Sequence, residues 1–295
     1  MKVILIGIVV ILLFSFIITL IVHKKQFGIR IDNVKERKLT KDIQVEKVKF
    51  HSGKNKLSGF FYYKKLNSKE SKKIVILVHG YGLTHKDYTL EIEEFVRNGV
   101  TVFAYDMTGC GESDGKNMKG FSQFIMDAES AVKFVSQSNI FNKIIVLGHS
   151  TGGYAAAALL NIYNIKVDKV IVIAGFNATG KYVQRCVQKN LNIFSHLIEF
   201  WVYVIEYIKF GKISMYTGIN GVNKFPGEVL VIQGKKDDEM YGKGSLYSMQ
   251  HKRKRESSKF MLIQDADHYP LRIKKGKLIR INKAVFKDIL EWINI

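Results

Sequence analysis

Residues Gly148-His149-Ser150-Thr151-Gly152 stand between an apolar run, 143–147, and an alanine-rich stretch, 154–160. This is a G-x-S-x-G pentapeptide with a strand-like segment before it and a helix-like one behind. A sharp strand-to-helix turn of this kind pushes the serine hydroxyl out at the top of a sheet, in a backbone conformation that tolerates only tiny neighbours. Gly148 and Gly152 supply that room. The turn also aims the first amides of the new helix at negative charge forming beside the serine. Ser150 is therefore the candidate nucleophile, and the Thr151 backbone N–H is one expected oxyanion donor.

Outward from this turn, strand-like runs at 74–78, 100–105, 144–147, 170–174, 229–233 and 260–263 alternate with helical stretches at 87–98, 122–137, 152–163, 239–256 and 278–293. Such alternation predicts an α/β fold: a mostly parallel sheet with helices on both faces. Residues 43–50 and 57–64 read as a strand pair ahead of it. Thr84 and Asp87 form a plausible capping box for the first of these helices. The interval 177–227 breaks the rhythm. Its centre is rich in aromatics, with Leu197, Trp201, Val204 and Ile208 on one helical stripe and Glu199 and Glu206 on another. This predicts a helical cap packed over the sheet by the apolar stripe, with both glutamates on the helix surface.

A serine hydroxyl needs a base to take its proton and a third group to orient that base. Of eight histidines, His268 follows the last strand-like run, where ligand chemistry gathers in such sheets. The acid is expected after a strand between serine and histidine. Asp237, in Gly234-Lys235-Lys236-Asp237-Asp238, is the first choice and Asp238 the alternative, with helix N-capping as the competing role for either. A second oxyanion donor is expected from His79-Gly80-Tyr81-Gly82 after the 74–78 run, through the Tyr81 amide, with His79 bracing the loop. The glycine-rich segment 106–113 lacks the Lys-Ser/Thr of a phosphate loop and reads as a tight turn shaped by Gly109, Gly111 and Ser113. No residue pattern calls for a metal or an organic cofactor. Cys110 and Cys186 have no metal-binding spacing and read as ordinary thiols.

At HGYG (79–82), YDMTGCGES (105–113), GHSTG (148–152), GKKDD (234–238) and DADH (265–268) the chain resembles the α/β-hydrolase family, nearest to its monoacylglycerol lipase and serine-aminopeptidase-like branch. The resemblance covers residues 43–295. It implies the fold and a Ser-Asp-His order, and leaves substrate open among esterases, lipases, peptidases and thioesterases. The cap carries no family signature.

Residues 3–22 contain no charge and are interrupted only by Gly7, Ser15 and Thr19. As a helix they would span about 30 Å, the thickness of a bilayer core. The run ends Ile21-Val22-His23-Lys24-Lys25, without the small-residue site of a cleaved signal peptide. The expected layout is an N-terminal transmembrane anchor at 1–25, a linker at 26–42 and the hydrolase domain at 43–295. Lys24, Lys25, Arg30, Lys35, Arg37 and Lys38 after the segment, against Lys2 before it, favour a cytoplasmic domain. The formal charge of +20, from 46 basic and 26 acidic side chains, is spread through the chain and does not call for nucleic acid. Together these features predict a membrane-anchored serine hydrolase acting on a carboxylic ester of lipid-like character. A peptidase or amidase is the alternative, and a non-catalytic binding module a weaker one.

Overall fold

Strand β3 (Lys73–Val78) shows why the sheet is buried on both sides. Ile74, Ile76 and Val78 point to one face, and Val75 and Leu77 to the other. A computed structural model describes residues 2–32, 39–64, 72–241 and 244–294; Lys35, Arg37 and Lys38 lie outside these. In chain order the elements are α1 (Lys2–Phe27), β1 (Ile43–Ser52), β2 (Asn55–Lys64), β3, α2 (Thr89–Arg97), β4 (Thr101–Tyr105), α3 (Phe121–Gln137), β5 (Lys143–His149), α4 (Thr151–Leu159), β6 (Lys169–Ile173), α5 (Thr179–Leu191), α6 (Ser195–Phe210), α7 (Gly218–Lys224), β7 (Glu228–Gly234), β8 (Ser258–Ile263), β9 (Arg272–Lys275), β10 (Leu278–Ile281) and α8 (Lys283–Asn294).

The main sheet has the order β1-β2-β4-β3-β5-β6-β7-β8. β2 runs antiparallel to both β1 and β4, and the remaining neighbours are parallel. Near-continuous apolar strands suit a sheet covered on both faces. Here α3, α4 and α7 pack on one face, through residues such as Phe124, Ala155 and Val222. The other face is covered by α2 and α8, through Ile92, Phe95, Phe286 and Ile289. The predicted α/β architecture is observed, and β5, which carries the pentapeptide, lies inside the sheet.

Two predicted helices are corrected. Residues 239–256 form no α-helix among the described residues, only turns and a short 3₁₀ segment, Tyr247–Lys252. Gly244 adopts φ +92° and its carbonyl accepts from Asn177 N–H, while Leu246 N–H donates to the Gly175 carbonyl. The backbone is thus committed to the loop after β6, and tertiary bonds override helical periodicity. The predicted helix 278–293 begins only at Lys283. Its first residues are β10, paired with β9 around Gly276, which has φ +59°. The Thr84–Asp87 contact exists, with Thr84 N–H donating to the Asp87 carboxylate at 2.9 Å, but it opens a 3₁₀ turn ahead of α2.

The interval 177–227 holds three helices, α5, α6 and α7, of which α7 packs on α4. Its packing stripe differs from the predicted one: Ile198, Val202 and Ile205 are buried, whereas Ile208 is 75% exposed. The reason is that α6 is covered on two sides, by the body of the domain and by α1. The Trp201 ring lies 4.9 Å from Phe16, and its Nε1–H donates to Ser15 Oγ at 2.9 Å. On α1 only Ser15, Thr19, His23 and Phe27 are buried, at the i, i+4 spacing that places side chains on one face. The polar interruptions of the apolar run are therefore part of its contact face. Beyond the helix, Arg30 donates to the carbonyls of Gly111, Ser113 and Gly115, and Ile31 bridges Cys110.

Glu206, expected on the helix surface, is fully buried. It accepts from Phe121 N–H (3.1 Å), Ser122 N–H (3.0 Å) and Ser122 Oγ–H (2.7 Å), and pairs with His23 Nε2 at 2.8 Å. Gly120 stands at the N-cap of α3 and has no side chain to satisfy the first amides of that helix. A carboxylate from the cap, 85 positions away, does so instead and opposes the helix dipole. Glu206→Ala would leave these donors unpaired in a buried site. It is expected to cost about 3 kcal/mol, read as a lower denaturation midpoint of the full chain in detergent, whereas Glu199→Ala, on a partly exposed ion pair, costs under about 1 kcal/mol.

Candidate active site

Ser150 sits where β5 ends and α4 begins, with φ 57° and ψ −120°. A non-glycine residue in this region is strained by roughly 1–3 kcal/mol and persists only where its surroundings over-determine it. They do so here. Ser150 N–H donates to the Ile173 carbonyl at 2.9 Å, and its own carbonyl accepts from Tyr154 N–H at 3.0 Å. A methyl group placed on Gly148 would lie 2.1 Å from the Gly152 carbonyl oxygen, and one on Gly152 would lie 2.2 Å from that of Val78. Both glycines are needed because backbone approaches backbone, and α4 is thereby held against the end of β3.

Asp237 and His268, predicted from their places after strands, come together. His268 Nδ1 lies 3.0 Å from Asp237 Oδ2. The carboxylate is an acceptor, so Nδ1 carries the proton and Nε2 keeps its lone pair. The same oxygen accepts from Gln233 Nε2 at 2.7 Å, and Oδ1 accepts from the Glu239 and Met240 amides at 3.0 Å each. Asp237 thus both orients the imidazole and caps its own turn, while Asp238 is exposed. Burial raises the Asp237 pKa, but the hydrogen bond and charge of His268, together with the Gln233 and Met240 donors, outweigh it and hold the carboxyl below its ordinary value. Glu239 Oε2 stands 3.7 Å from His268 Nε2.

No hydrogen bond joins Ser150 Oγ to His268 among the described residues. Such contacts tighten in many enzymes only when substrate arrives. What links the two is His149, beside the serine. Its Nε2 lies 2.9 Å from the His268 carbonyl, so that nitrogen must be the donor. Nδ1 must then accept, and Tyr88 Oη–H lies 2.8 Å away. The Tyr88 oxygen in turn accepts from Gly80 N–H at 2.9 Å. One chain of hydrogen bonds runs from the His79-Gly80-Tyr81 loop, through the serine turn, to the His268 carbonyl. Arg272 adds to the loop's hold: it pairs with Glu91 at 2.6 Å, and its guanidinium lies 5.0 Å from the Tyr269 ring centre.

The Tyr81 loop lies against the serine turn, since a methyl on Gly80 would be 3.4 Å from Ser150 Cβ. Among the described residues neither Tyr81 N–H nor Thr151 N–H is engaged by a protein acceptor. His79 braces this loop as expected: Nδ1 bonds the Gly80 carbonyl at 2.8 Å, and Nε2 accepts from Met107 N–H at 3.0 Å. The segment 106–113 is the predicted tight turn, with Gly109 and Gly111 at positive φ. It is held by the buried Asp106 carboxylate, which accepts from Glu112 N–H and pairs with His85. No group of three or more His, Cys, Asp or Glu side chains that could hold a metal occurs among the described residues.

The sequence reading passed over His149, Tyr88, Gln233 and Glu239. Gln233 and Glu239 flank Asp237 and could have been suspected from proximity, whereas Tyr88 carries no local signal. Burial pushes the His149 pKa down to about 3, with the neighbouring His268 adding to the effect. An unfolded histidine titrates near 6.5, so between these values the unfolded chain binds the extra proton. The His149 contribution to stability is therefore complete above about pH 6.5 and is lost as pH falls toward 3, by about 1.4 kcal/mol per pH unit. His149→Gln is expected to flatten that acid limb in denaturant titrations made at successive pH values. Parallel limbs for the two proteins would contradict the assignment.

Comparison with known proteins shows the family and the fold. Residues 69–239, more than half of the chain, match the model of the family described as serine aminopeptidase, S33. The chain is similar to a proline iminopeptidase of Thermoplasma volcanium, 30% identical over 45% of this chain and 46% of that protein. It is also similar to a monoacylglycerol lipase of Mycolicibacterium smegmatis, 34% identical over 27% of this chain and 29% of that one. The chain thus spans less than half the length of either relative. Among solved structures, an esterase of Pyrococcus furiosus shares the fold at a TM-score of 0.62 and 18% identity, covering 90% of this chain and 96% of that one. The esterase Est1E of Butyrivibrio proteoclasticus, with ferulic acid bound, does so at 0.60 and 17%, covering 84% and 100%. With its sheet, its serine turn and the matched segment taken together, the chain belongs to the serine aminopeptidase S33 family of α/β-hydrolases.

Proposed function

We propose that this protein is a membrane-anchored serine hydrolase that cleaves a carboxylic ester of amphiphilic character, with Ser150 as nucleophile, His268 as base and Asp237 as the orienting acid. The observation that carries the reading is the Asp237–His268 hydrogen bond, on a loop tied through His149 to the serine turn. With Nδ1–H given to Asp237, Nε2 is free to take the Ser150 proton as Oγ attacks the carbonyl carbon. The tetrahedral oxyanion would be met by the Tyr81 and Thr151 amides. His268 then returns the proton to the departing alkoxide, leaving an acyl-serine, and a water activated by the same nitrogen releases the acid. None of these steps calls on a cofactor. The apolar cap and the 26-residue α1 support an amphiphilic substrate at a membrane surface. The lysines and arginines after the span favour a domain on the cytoplasmic side.

A second reading, release of an amino-terminal residue from a peptide, is favoured by Glu239, whose carboxylate beside the base could receive an ammonium group. Glu199 and Glu206, the two glutamates of α6, are engaged with Lys181 and with the start of α3. On this reading Glu239→Gln abolishes cleavage of aminoacyl amides, whereas on the ester reading palmitoyl and butyryl esters are turned over and Glu239→Gln changes their kcat/KM less than about threefold.

The test of the triad is labelling of the full chain in detergent by a fluorophosphonate, with Ser150→Ala as control; equal labelling of both removes Ser150 as nucleophile. Ser150→Ala or His268→Ala is expected to lower kcat on the order of 10⁴–10⁶-fold. Asp237→Asn is expected to cost about 10⁴-fold and Asp238→Asn little. The reverse order in ester turnover would transfer the acid role to Asp238.

A further inference from the structure

A cavity of about 370 Å³ lies between α1 and the cap, within the size range of small-molecule sites. Its walls are mainly apolar: Val22 from α1, Val183 and Val187 from α5, and Ile198 and Val202 from α6, with Cys186 also facing it. One end is aromatic, where Phe27, Phe121 and Tyr182 line it. The Phe27 ring centre lies 5.7 Å from that of Tyr81, and Tyr81 Oη–H donates to the Gln26 carbonyl at 2.6 Å. Phe27 and Gln26, which line the chamber, thus touch the residue whose amide is assigned to the oxyanion. The segment matched by the family model, 69–239, leaves out α1, which supplies this wall.

The position of α1 bears on what fills the chamber. Contact with the cap begins at Ser15, so of the apolar run 3–22 only the part before Ser15, about 18 Å of helix, rises free of the body. That is too short for a hydrocarbon core of about 30 Å. A spanning α1 thus draws the tip of the α5–α6 hairpin into the membrane. There Leu191, Ile193 and Phe194 expose apolar side chains, and Phe200 does so further along α6. The chamber then stands level with the acyl chains of the leaflet.

We propose that this chamber receives the acyl chain of a membrane-lipid ester, and that α1 is one wall of the substrate site as well as an anchor. The chain enters sideways from the bilayer between α1 and the cap hairpin and presents its ester carbonyl at Tyr81 and Ser150. This rests on the ester-hydrolase reading, and the test separates the two.

Cys186 is exposed and lines the chamber, whereas Cys110 is buried, so alkylation by N-ethylmaleimide reports the chamber's occupancy. In the full chain in phosphatidylcholine nanodiscs, a hexadecyl fluorophosphonate adduct is expected to slow Cys186 alkylation at least tenfold relative to an ethyl adduct. Free palmitate, which needs no reaction at Ser150, is expected to slow it likewise relative to acetate. Alkylation unchanged by both long-chain ligands overturns the proposal while leaving the hydrolase reading intact. If no adduct forms, the hydrolase reading fails and the palmitate comparison alone decides the chamber. Val22→Trp and Val187→Trp, which fill the space from its two sides, are expected to lower kcat/KM for a palmitoyl ester 10–100-fold and for an acetyl ester less than twofold. Equal losses on both esters contradict an acyl site.

Discussion

The molecule is organised around a single strained residue. Ser150 can hold φ 57° only because β5 and β6 fix its amide, Tyr154 fixes its carbonyl and two glycines let backbone meet backbone on either side. Strain of roughly 1–3 kcal/mol is small beside the burial of the surrounding strands, so the sheet can impose it. The consequence is geometric. The hydroxyl is lifted clear of the sheet edge, and among the described residues the Thr151 amide that opens α4 has no protein acceptor.

Buried polar groups do the remaining positioning, and each is nearly saturated with partners. His149 uses both ring nitrogens, Tyr88 both donates and accepts, and Asp237 accepts from four protein donors. A buried group with every partner present specifies one arrangement, because any alternative leaves a donor or acceptor unpaired. Glu206 applies the same logic at larger scale. It satisfies the start of α3 from the cap and receives His23 from α1, and so sets three elements relative to one another. The helices α5 to α7 and α1 are thereby registered to the body rather than merely attached to it.

Much of this was legible in advance, where local chemistry dictates local shape. A glycine-flanked serine between an apolar run and an alanine run leaves few conformations, and the motifs after β3, β7 and β8 follow from strand ends in a parallel sheet. Legibility failed where long-range bonds replaced local ones. Residues 239–256 have helical periodicity, yet Gly244 and Leu246 give their backbone groups to the loop after β6. The stripe on α6 was misread because α1 covers a second side of that helix, and a buried Glu206 cannot be guessed without knowing that Gly120 leaves α3 uncapped.

By itself, then, the sequence determined the strand-helix alternation, the serine turn and the family, because these rest on contacts between near neighbours and on side-chain volume. Only the tertiary structure decided that Asp237 rather than Asp238 meets His268, that His149 joins the His268 loop to the serine turn, and that the apolar N-terminal helix closes a chamber against α5 and α6. Each of those depends on which distant groups share one buried volume. The energy that selects them, the cost of leaving a polar atom unpaired or an apolar face in water, exists only once the chain has closed.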